Sequence, residues 1–157
     1  MDFIEQAQAL NDCSRAIYLA LPMPPSVNAA TRVGRSKTTG KSVVFSSPEK
    51  RRFFSDADGY FLQQKQTLIG RKIEGPFTYH LTLNEALRHG NSDGDNRQKY
   101  ALDYLQRAGL IANDKFAMGG SWAWGPCAFP ALIGVWPFAL TPVHHRVSED
   151  MERAGAS

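Results

Sequence analysis

Alternating apolar and polar residues mark one strand clearly, over residues Phe77–Leu83. Successive side chains of a strand point to opposite faces, so the apolar positions of this segment would share its buried face. These positions are Phe77, Tyr79, Leu81 and Leu83. Apolar runs at Ile17–Leu21 and Ala131–Trp136 predict two more strands. The first would end where Pro22–Pro25 begins, because prolines cannot donate hydrogen bonds to a sheet.

A first helix is predicted to begin at Ser46, which can form a capping box with Glu49, while Pro48 suits the first turn. The apolar spacing continues to about Leu68, where the helix would end. Its predicted buried stripe consists of Phe54, Ala57, Phe61 and Leu68.

A second helix is predicted over Asp95–Ala108, with Asp95 or Asn96 as its N-cap. Gly109 follows in the usual position for a left-handed C-cap. One side of this helix carries Asp95, Lys99 and Asp103 at four-residue spacing. Taken alone, such a row is typical of exposed ion pairs, each worth about 0.3–0.5 kcal/mol.

The order of these elements predicts an α/β (α+β) protein, a single small domain with one mixed β-sheet flanked by helices. The domain would occupy residues 15–140, between an N-terminal extension (1–14) and an irregular C-terminal tail (141–157). Thr31–Lys41 is rich in Gly, Ser, Thr and cations, which predicts a flexible loop within the domain.

Composition narrows the class of protein. The chain has 157 residues, 43% of them hydrophobic, which supplies enough apolar surface for one folded core and argues against general disorder. Cys13 and Cys127 stand alone, so neither a cysteine zinc site nor a disulfide framework is supported. The N-terminus lacks a signal-peptide pattern, and no apolar run is long enough to span a bilayer. A cytoplasmic protein without a membrane association is therefore expected.

The net charge is +3, and positive charge is concentrated between residues 32 and 52. A solvated basic surface is the simpler interpretation of such a run. Cations on and beside a Gly/Ser/Thr-rich loop also suit contact with DNA phosphates. The candidate DNA-binding residues are Arg32, Arg35, Lys37, Lys41, Lys50, Arg51 and Arg52.

Candidate chemistry is concentrated between Asp93 and Asp114. In an extended segment, Asp93 and Asp95 would direct both carboxylates to one side, and Gly94 between them would let the backbone approach a ligand closely. Oxygen ligands of this kind suit Mg²⁺. A helix N-terminus attracts phosphate while carboxylates repel it, and a metal ion that bridges protein and phosphodiester would remove this conflict.

Chain reach limits where Asp114 can lie. The second predicted helix rises about 20 Å, and the chain from its end to Asp114 spans at most about 20 Å. Asp114 can therefore return to Asp93 and Asp95 only if Leu110–Ala112 forms a nearly straight strand. Otherwise it would lie partway along the helix, near Lys99, or enter the site of a second subunit.

The spacing of this segment resembles the signature of RusA-like Holliday junction resolvases. The matching residues are Asp93, Asp95, Asn96, Lys99, Asp103, Leu105, Gly109 and Asp114. The Pro-rich segment Leu21–Asn28 is similar to the opening of the same family, so the resemblance extends over most of residues 17–136.

The resemblance implies a homodimeric endodeoxyribonuclease that resolves branched DNA (four-way junctions) in recombination and repair, by paired hydrolysis of phosphodiester bonds. The implied cofactor is Mg²⁺, which Mn²⁺ can replace, with no small-molecule cofactor. Asp93, Asp95 and Asp114 would be the catalytic metal ligands, and Lys99 would assist at the scissile phosphate. The candidate supporting residues are Asn28, Asn96, Asp103 and Asn113.

One position departs from the family pattern, which usually ends in two acidic residues and here ends in Asn113-Asp114. An amide carbonyl can coordinate a cation, but it lowers the negative charge of the site. The alternative function is therefore a catalytically impaired protein that binds branched DNA in a structural or regulatory role. A calcium-binding EF-hand that starts at Asp93 is disfavoured, because Gln98 and Tyr104 stand where Gly and Glu are needed.

Overall fold

The computed structural model describes residues 15–26, 31–35, 37–90 and 93–138, with the backbone alone for 31–35 and 42–46. The predicted N-terminal extension (1–14) and C-terminal tail (141–157) lie outside the described residues. In chain order the elements are β1 (Ile17–Leu21), β2 (Thr31–Arg35), β3 (Ser42–Ser46), α1 (Pro48–Leu68), β4 (Phe77–Asn84), α2 (Gln98–Arg107), β5 (Ala117–Gly125) and β6 (Ala131–Pro137).

The main sheet has four strands in the order β1-β6-β4-β5. Strand β6 pairs antiparallel with β1 and with β4, whereas β5 pairs parallel with β4. This mixed sheet, with two helices in the same small domain, confirms the predicted α+β class. The three predicted strands are all present, and β4 and β6 each continue one residue beyond the predicted end.

The core lies against the inner face of this sheet. Leu81 and Leu83 of β4 and Ile133 and Val135 of β6 are fully buried, and burial of a side chain of this size stabilises a fold by about 1.5–3 kcal/mol. Tyr79, predicted to be buried with them, is only partly buried, because its hydroxyl extends to the beginning of α2.

Residues Thr31–Lys41 do not form the predicted flexible loop. They supply β2 and most of the turn of an antiparallel hairpin, in which Arg35 of β2 pairs with Ser42 of β3. The prediction was wrong because it weighed the Gly, Ser and Thr content and not the β-branched pair Val43-Val44, which favours a partner strand. Gly40 has a φ of 66° beside the turn, a conformation that favours glycine.

Helix α1 begins one residue later than predicted. Ser47 rather than Ser46 is its N-cap, and the Ser47 hydroxyl accepts a hydrogen bond from the backbone N–H of Lys50 at 3.2 Å. Ser46 is instead the last residue of β3. The helix ends at Leu68, as predicted.

The buried side of α1 differs in part from the predicted stripe. Two of the predicted positions are buried, namely Ala57 and Leu68. Phe54 and Phe61 are only partly buried, and Phe53 and Gln64 take the buried places. An apolar pattern cannot identify Gln64, since this polar side chain is buried through hydrogen bonds rather than through hydrophobicity.

Helix α2 is preceded by a 3₁₀ turn over Asp95–Arg97, so the α-helix begins at Gln98. The prediction that Asp95 or Asn96 caps this helix was wrong, since neither the turn nor the helix has a side-chain cap. The carboxylate of Asp95 accepts instead from the Gln98 amide, and the amide of Asn96 donates to Asp93.

The other end of α2 closes as predicted. Gly109 has a φ of 76°, and the backbone N–H of Leu110 donates to the carbonyl of Leu105 at 2.9 Å. The chain beyond does not form the straight return strand considered above. It makes a single parallel bridge, in which Ile73 N–H donates to the Leu110 carbonyl and Ala112 N–H donates to the Ile73 carbonyl.

Candidate functional site

The candidate metal ligands Asp93 and Asp95 lie on one exposed turn immediately before α2. The Asp93 carboxylate organises this turn, because its Oδ1 accepts the backbone N–H of Asp95 at 3.2 Å and its Oδ2 accepts the side-chain Nδ2 of Asn96 at 3.0 Å. Such local bonds from an aspartate to the following backbone are typical of tight turns. Each carboxylate oxygen has two acceptor positions, so these contacts leave room for a cation.

Gly94, between the two aspartates, packs against the indole of Trp122 on β5. A Cβ atom at Gly94 would come within 2.8 Å of the Trp122 Cη2 atom and closer still to Cε3 and Cζ3. Gly94 has ordinary helical angles, with φ −75° and ψ −27°. The sequence suggested that this glycine makes room for a ligand, whereas in the structure it makes room for a ring of the protein itself.

Gln98, at the first position of α2, joins Asp95 to the sheet. Its Nε2 donates to Asp95 Oδ1 at 2.7 Å, and its Oε1 accepts from the hydroxyl of Tyr79 at 2.8 Å. Burial raises the pKa of Tyr79, and the charge of Asp95 raises it further, so the phenol remains a hydrogen-bond donor at neutral pH.

The Tyr79 ring lies over Gly120, its partner in the parallel ladder between β4 and β5. A Cβ atom at Gly120 would come within 2.6 Å of the Tyr79 hydroxyl oxygen and closer still to two ring carbons. A glycine in the interior of a strand often marks such a close approach.

The two segments that carry the family resemblance meet in space. The Arg97 guanidinium donates through Nη1 to the backbone carbonyl of Pro24, in the Pro-rich segment after β1. The same guanidinium lies 6.0 Å from the ring centroid of Trp124, and burial lowers its pKa. Asn28, the last residue of the Pro-rich match, lies outside the described residues.

Asp114 lies beside the second half of α2 rather than at its beginning. Its backbone N–H donates to the Gln106 side-chain oxygen at 3.0 Å, and the charge of its carboxylate contributes to the raised pKa of Asp103. Asn113 caps the following 3₁₀ turn, since its Oδ1 accepts the backbone N–H of Lys115 at 2.9 Å. The amide oxygen that was considered a cation ligand is therefore already used as a hydrogen-bond acceptor.

A second cluster of charged residues lies around Asp103 on α2. The Lys50 ammonium is 3.9 Å from the Asp103 carboxylate and lies over the rings of Phe54 and Tyr100, at 5.4 and 5.3 Å from their centroids. Burial raises the pKa of Asp103, with a smaller increase from Asp114, while Lys50 and Lys99 oppose the increase. Lys99 itself is exposed.

A single protomer does not gather the three predicted metal ligands. Among the described residues, no group of three or more Asp, Glu, His or Cys side chains is placed to hold one metal ion. The reason is topological, because Gly94 packs on Trp122 whereas Asp114 comes just before Ala117, where β5 begins. The chain from Ala117 to Trp122 rises about 16 Å as a strand. The length of the chain allowed Asp114 to return to Asp93 and Asp95 or to lie partway along the helix. In the protomer it lies partway along the helix, beside Gln106.

The predicted DNA-binding cations divide into three groups. Lys37, Lys41, Arg51 and Arg52 are exposed. Lys50 is partly buried in the aromatic contacts described above. Arg32 and Arg35 lie on β2, where the structure describes only the backbone.

Three residues at this site were not identified from the sequence as site residues. Gln98 follows Asp95 by three positions, and side chains at this spacing are neighbours at the beginning of a helix. The sequence alone therefore contained the signal that could have identified Gln98. Tyr79 and Trp122 had no such local pattern. They reach the turn only because β4 and β5 are parallel neighbours beneath it.

Comparison with known proteins finds no protein-family model and no curated protein that matches this chain. The similarity to RusA-like resolvases therefore depends on the residues quoted above and stays a prediction.

Within the part of the chain that the structure describes, no helix combines the length and the apolar character needed to cross a membrane.

Proposed function

We propose that this protein is a metal-dependent endodeoxyribonuclease of the RusA-like Holliday junction resolvase type, active as a homodimer on four-way DNA junctions. The observation that carries the proposal is the turn with Asp93 and Asp95, which presents two exposed carboxylates from a backbone held by local hydrogen bonds. The Pro-rich segment contacts this turn through the hydrogen bond from Arg97 to Pro24, which supports a single site formed by both parts of the family resemblance.

The donor set of the turn fits a hard divalent cation. Mg²⁺ is usually bound in proteins through one or two carboxylates together with water and substrate phosphate, which is what Asp93 and Asp95 can offer. When bound, Mg²⁺ supplies a Lewis acid that activates water and stabilises charge on the phosphate oxygens. Mn²⁺ accepts the same ligands and is expected to replace it.

Lys99 is the residue proposed to contact the scissile phosphate. It is exposed in the first turn of α2, four residues after Asp95, which lies in the preceding 3₁₀ turn. Its ammonium group provides a point charge that can approach a phosphate oxygen from the protein side. In this role Lys99 offsets the repulsion between the two carboxylates and the DNA backbone.

The third predicted ligand, Asp114, is assigned to the site of the partner subunit in this proposal. In its own protomer Asp114 precedes the first residue of β5, whereas the turn packs on Trp122 further along that strand. The apolar side chains of Phe116 and Met118 near Asp114 are 43% and 60% exposed. Exposed apolar side chains at this position suit a contact between two copies of the chain. Two such sites related by a two-fold axis also match the two-fold character of a four-way junction.

The exposed cations supply the proposed DNA contacts outside the catalytic turn. Lys37 and Lys41 lie in the connection between β2 and β3, and Arg51 and Arg52 lie near the beginning of α1. Phosphate contacts of this kind carry no sequence information, but they position a nuclease on its DNA.

The alternative function, a catalytically impaired protein that binds branched DNA, is favoured by one specific observation. Asn113 replaces an acidic residue of the family pattern with a neutral amide, and the oxygen of that amide already accepts the backbone N–H of Lys115. In that case the protein would bind junctions by shape and charge without cutting them.

A junction-cleavage assay separates the two functions. We expect the purified protein to nick a synthetic four-way junction at two symmetry-related positions in Mg²⁺ or Mn²⁺. Asp95→Asn should abolish nicking and preserve or tighten junction binding, since it removes a metal ligand and a repulsive charge together. Asp56→Asn, at an exposed aspartate on α1, is the matched control and should leave both unchanged. Binding without nicking in both metals and across junction sequences would favour the alternative, and loss of both in Asp95→Asn would count against the site.

A further inference from the structure

We infer that Tyr79, Gln98 and Trp122 are positioning residues for the catalytic turn, which hold Asp95 in the orientation that binds the metal ion. This inference rests on the proposed function. It concerns residues of β4, β5 and α2 that touch neither substrate nor metal and act through Asp95 and Gly94.

The Gln98 amide has one orientation that satisfies both of its partners. Its oxygen accepts from the Tyr79 hydroxyl at 2.8 Å, and its nitrogen donates to Asp95 Oδ1 at 2.7 Å. A rotation of the amide by half a turn would place its oxygen against the Asp95 carboxylate, which can only accept hydrogen bonds. The nitrogen of the amide therefore faces Asp95 and holds one oxygen of that carboxylate, while the Tyr79 hydroxyl holds the other end of the amide.

The same nitrogen of Gln98 also approaches the backbone carbonyl of Asp95, at 3.3 Å. Gln98 therefore links the side chain and the main chain of the metal ligand. The second carboxylate oxygen, Oδ2, keeps its own acceptor positions and can turn toward a cation while Oδ1 is held.

Trp122 holds the same turn from the side of the sheet. The indole occupies the space that a side chain at Gly94 would need, so the backbone between the two aspartates rests directly on the ring. Tyr79 is itself held over Gly120 in the next strand. Both aromatic side chains are partly buried against the core, Tyr79 from the inner strand β4 and Trp122 from the edge strand β5, so they connect the exposed turn to the packed part of the domain.

Outer groups that hydrogen-bond to metal ligands raise affinity because they reduce the reorganisation that binding requires. We therefore expect Tyr79→Phe and Gln98→Met each to weaken Mn²⁺ binding by about 10-fold. Tyr79→Phe keeps the ring over Gly120 and removes only the hydroxyl. The matched control is Gln66→Met, at an exposed glutamine on α1, which should bind Mn²⁺ as the wild type does.

Two measurements separate positioning from stability. Calorimetric titration of the protein with Mn²⁺ gives the metal affinity without DNA, and junction nicking against Mn²⁺ concentration gives the half-saturating metal and the maximal rate. A positioning role moves the metal affinity and the half-saturating concentration together, at temperatures below the Tm and with junction affinity unchanged. An unchanged Mn²⁺ affinity in both Tyr79→Phe and Gln98→Met, whatever their Tm, would overturn the inference.

The contact between Gly94 and Trp122 is tested by a size exchange. Gly94→Ala should weaken Mn²⁺ binding, because the new methyl group displaces the turn from the indole. Adding Trp122→Leu frees space for that methyl group and should restore part of the affinity, a coupling that only residues in contact display. Additive losses in the double variant would contradict the contact. Wild-type protein that neither binds Mn²⁺ nor nicks junctions would overturn both the proposed function and this inference, whereas an active wild type with indifferent variants would overturn the inference alone.

Discussion

The side chain of Gln64 pairs with both backbone polar groups of Ala20. Its Oε1 accepts the Ala20 N–H at 2.8 Å, and its Nε2 donates to the Ala20 carbonyl at 3.0 Å. Among the described strands β1 is an edge of the four-stranded sheet, and none of them pairs with these groups of Ala20. The fully buried Gln64 side chain thus makes the two hydrogen bonds that a neighbouring strand would make with Ala20, and these bonds link α1 to the sheet.

Gln64→Ala is expected to lower the free energy of unfolding by about 1–3 kcal/mol, because it leaves two buried backbone groups without partners. Denaturant unfolding at constant pH measures the change. Gln63→Ala, at the exposed neighbouring position, is the control and should change stability by less than about 0.5 kcal/mol. Equal effects of the two substitutions would contradict the structural role of Gln64.

Subunit mixing tests whether Asp114 completes the site of its partner. Asp95→Asn and Asp114→Asn are each expected to be inactive alone. If the site is shared, a mixed dimer has one intact site, formed by Asp95 of one subunit and Asp114 of the other. After random exchange of equal amounts, about half of the dimers are mixed, and each mixed dimer has one intact site of two. Roughly a quarter of the wild-type nicking should then be restored. No recovery after exchange, verified by tagged subunits, would contradict the assignment of Asp114 to the site of the partner subunit.

Asp103 is expected to make stability depend on pH. Burial raises the pKa of this carboxyl in the folded protein, so the folded state binds more protons than the unfolded state between the ordinary and the raised pKa. Stability contributed by Asp103 is therefore lost as pH rises through this window. Asp103→Asn should raise the free energy of unfolding at pH 7, and its advantage should vanish at a pH below about 3, where the carboxyl is protonated in both states.

Chemical unfolding of wild type and Asp103→Asn across this pH range measures the difference. Asp56→Asn, at an exposed position on α1, serves as the reference for a simple change of net charge. A gain from Asp103→Asn that is the same at every pH would exclude the titration of Asp103 as its cause.

The salt dependence of junction binding tests the basic hairpin. Replacing Arg35 and Lys37 with Gln should lower affinity and flatten the plot of log affinity against log salt, by about 0.9 for each DNA phosphate that is no longer neutralised. Lys50→Gln is the informative comparison, since the Lys50 ammonium lies over two aromatic rings and 3.9 Å from Asp103. We expect it to change the slope less than the hairpin pair does. An unaltered slope in the Arg35 and Lys37 variant would remove the hairpin from the DNA interface.

Much of the fold was predictable because its main elements have strong local patterns. The strict alternation over Phe77–Leu83 predicted β4, and the Gly109 cap predicted where α2 ends. The hairpin of β2 and β3 was missed, since its composition resembles a loop and only pairing between two short segments makes it a sheet. Ser47 was missed as the cap of α1 because Ser46 and Ser47 are chemically equivalent and only the preceding strand decides between them.

By itself the sequence determined which chemical groups are available near α2: two aspartates on either side of a glycine, a lysine one turn further on, and Asp114 beyond the helix. Residues separated by two to four positions on a turn or helix are also close in space, so their spacing in the sequence is enough to predict that they are neighbours. The tertiary structure decided which of them meet. The parallel pairing of β4 with β5 brings Tyr79 and Trp122 beneath the turn, and the same crossover carries Asp114 away along the strand, because a βαβ unit must return its chain to the opposite end of the sheet.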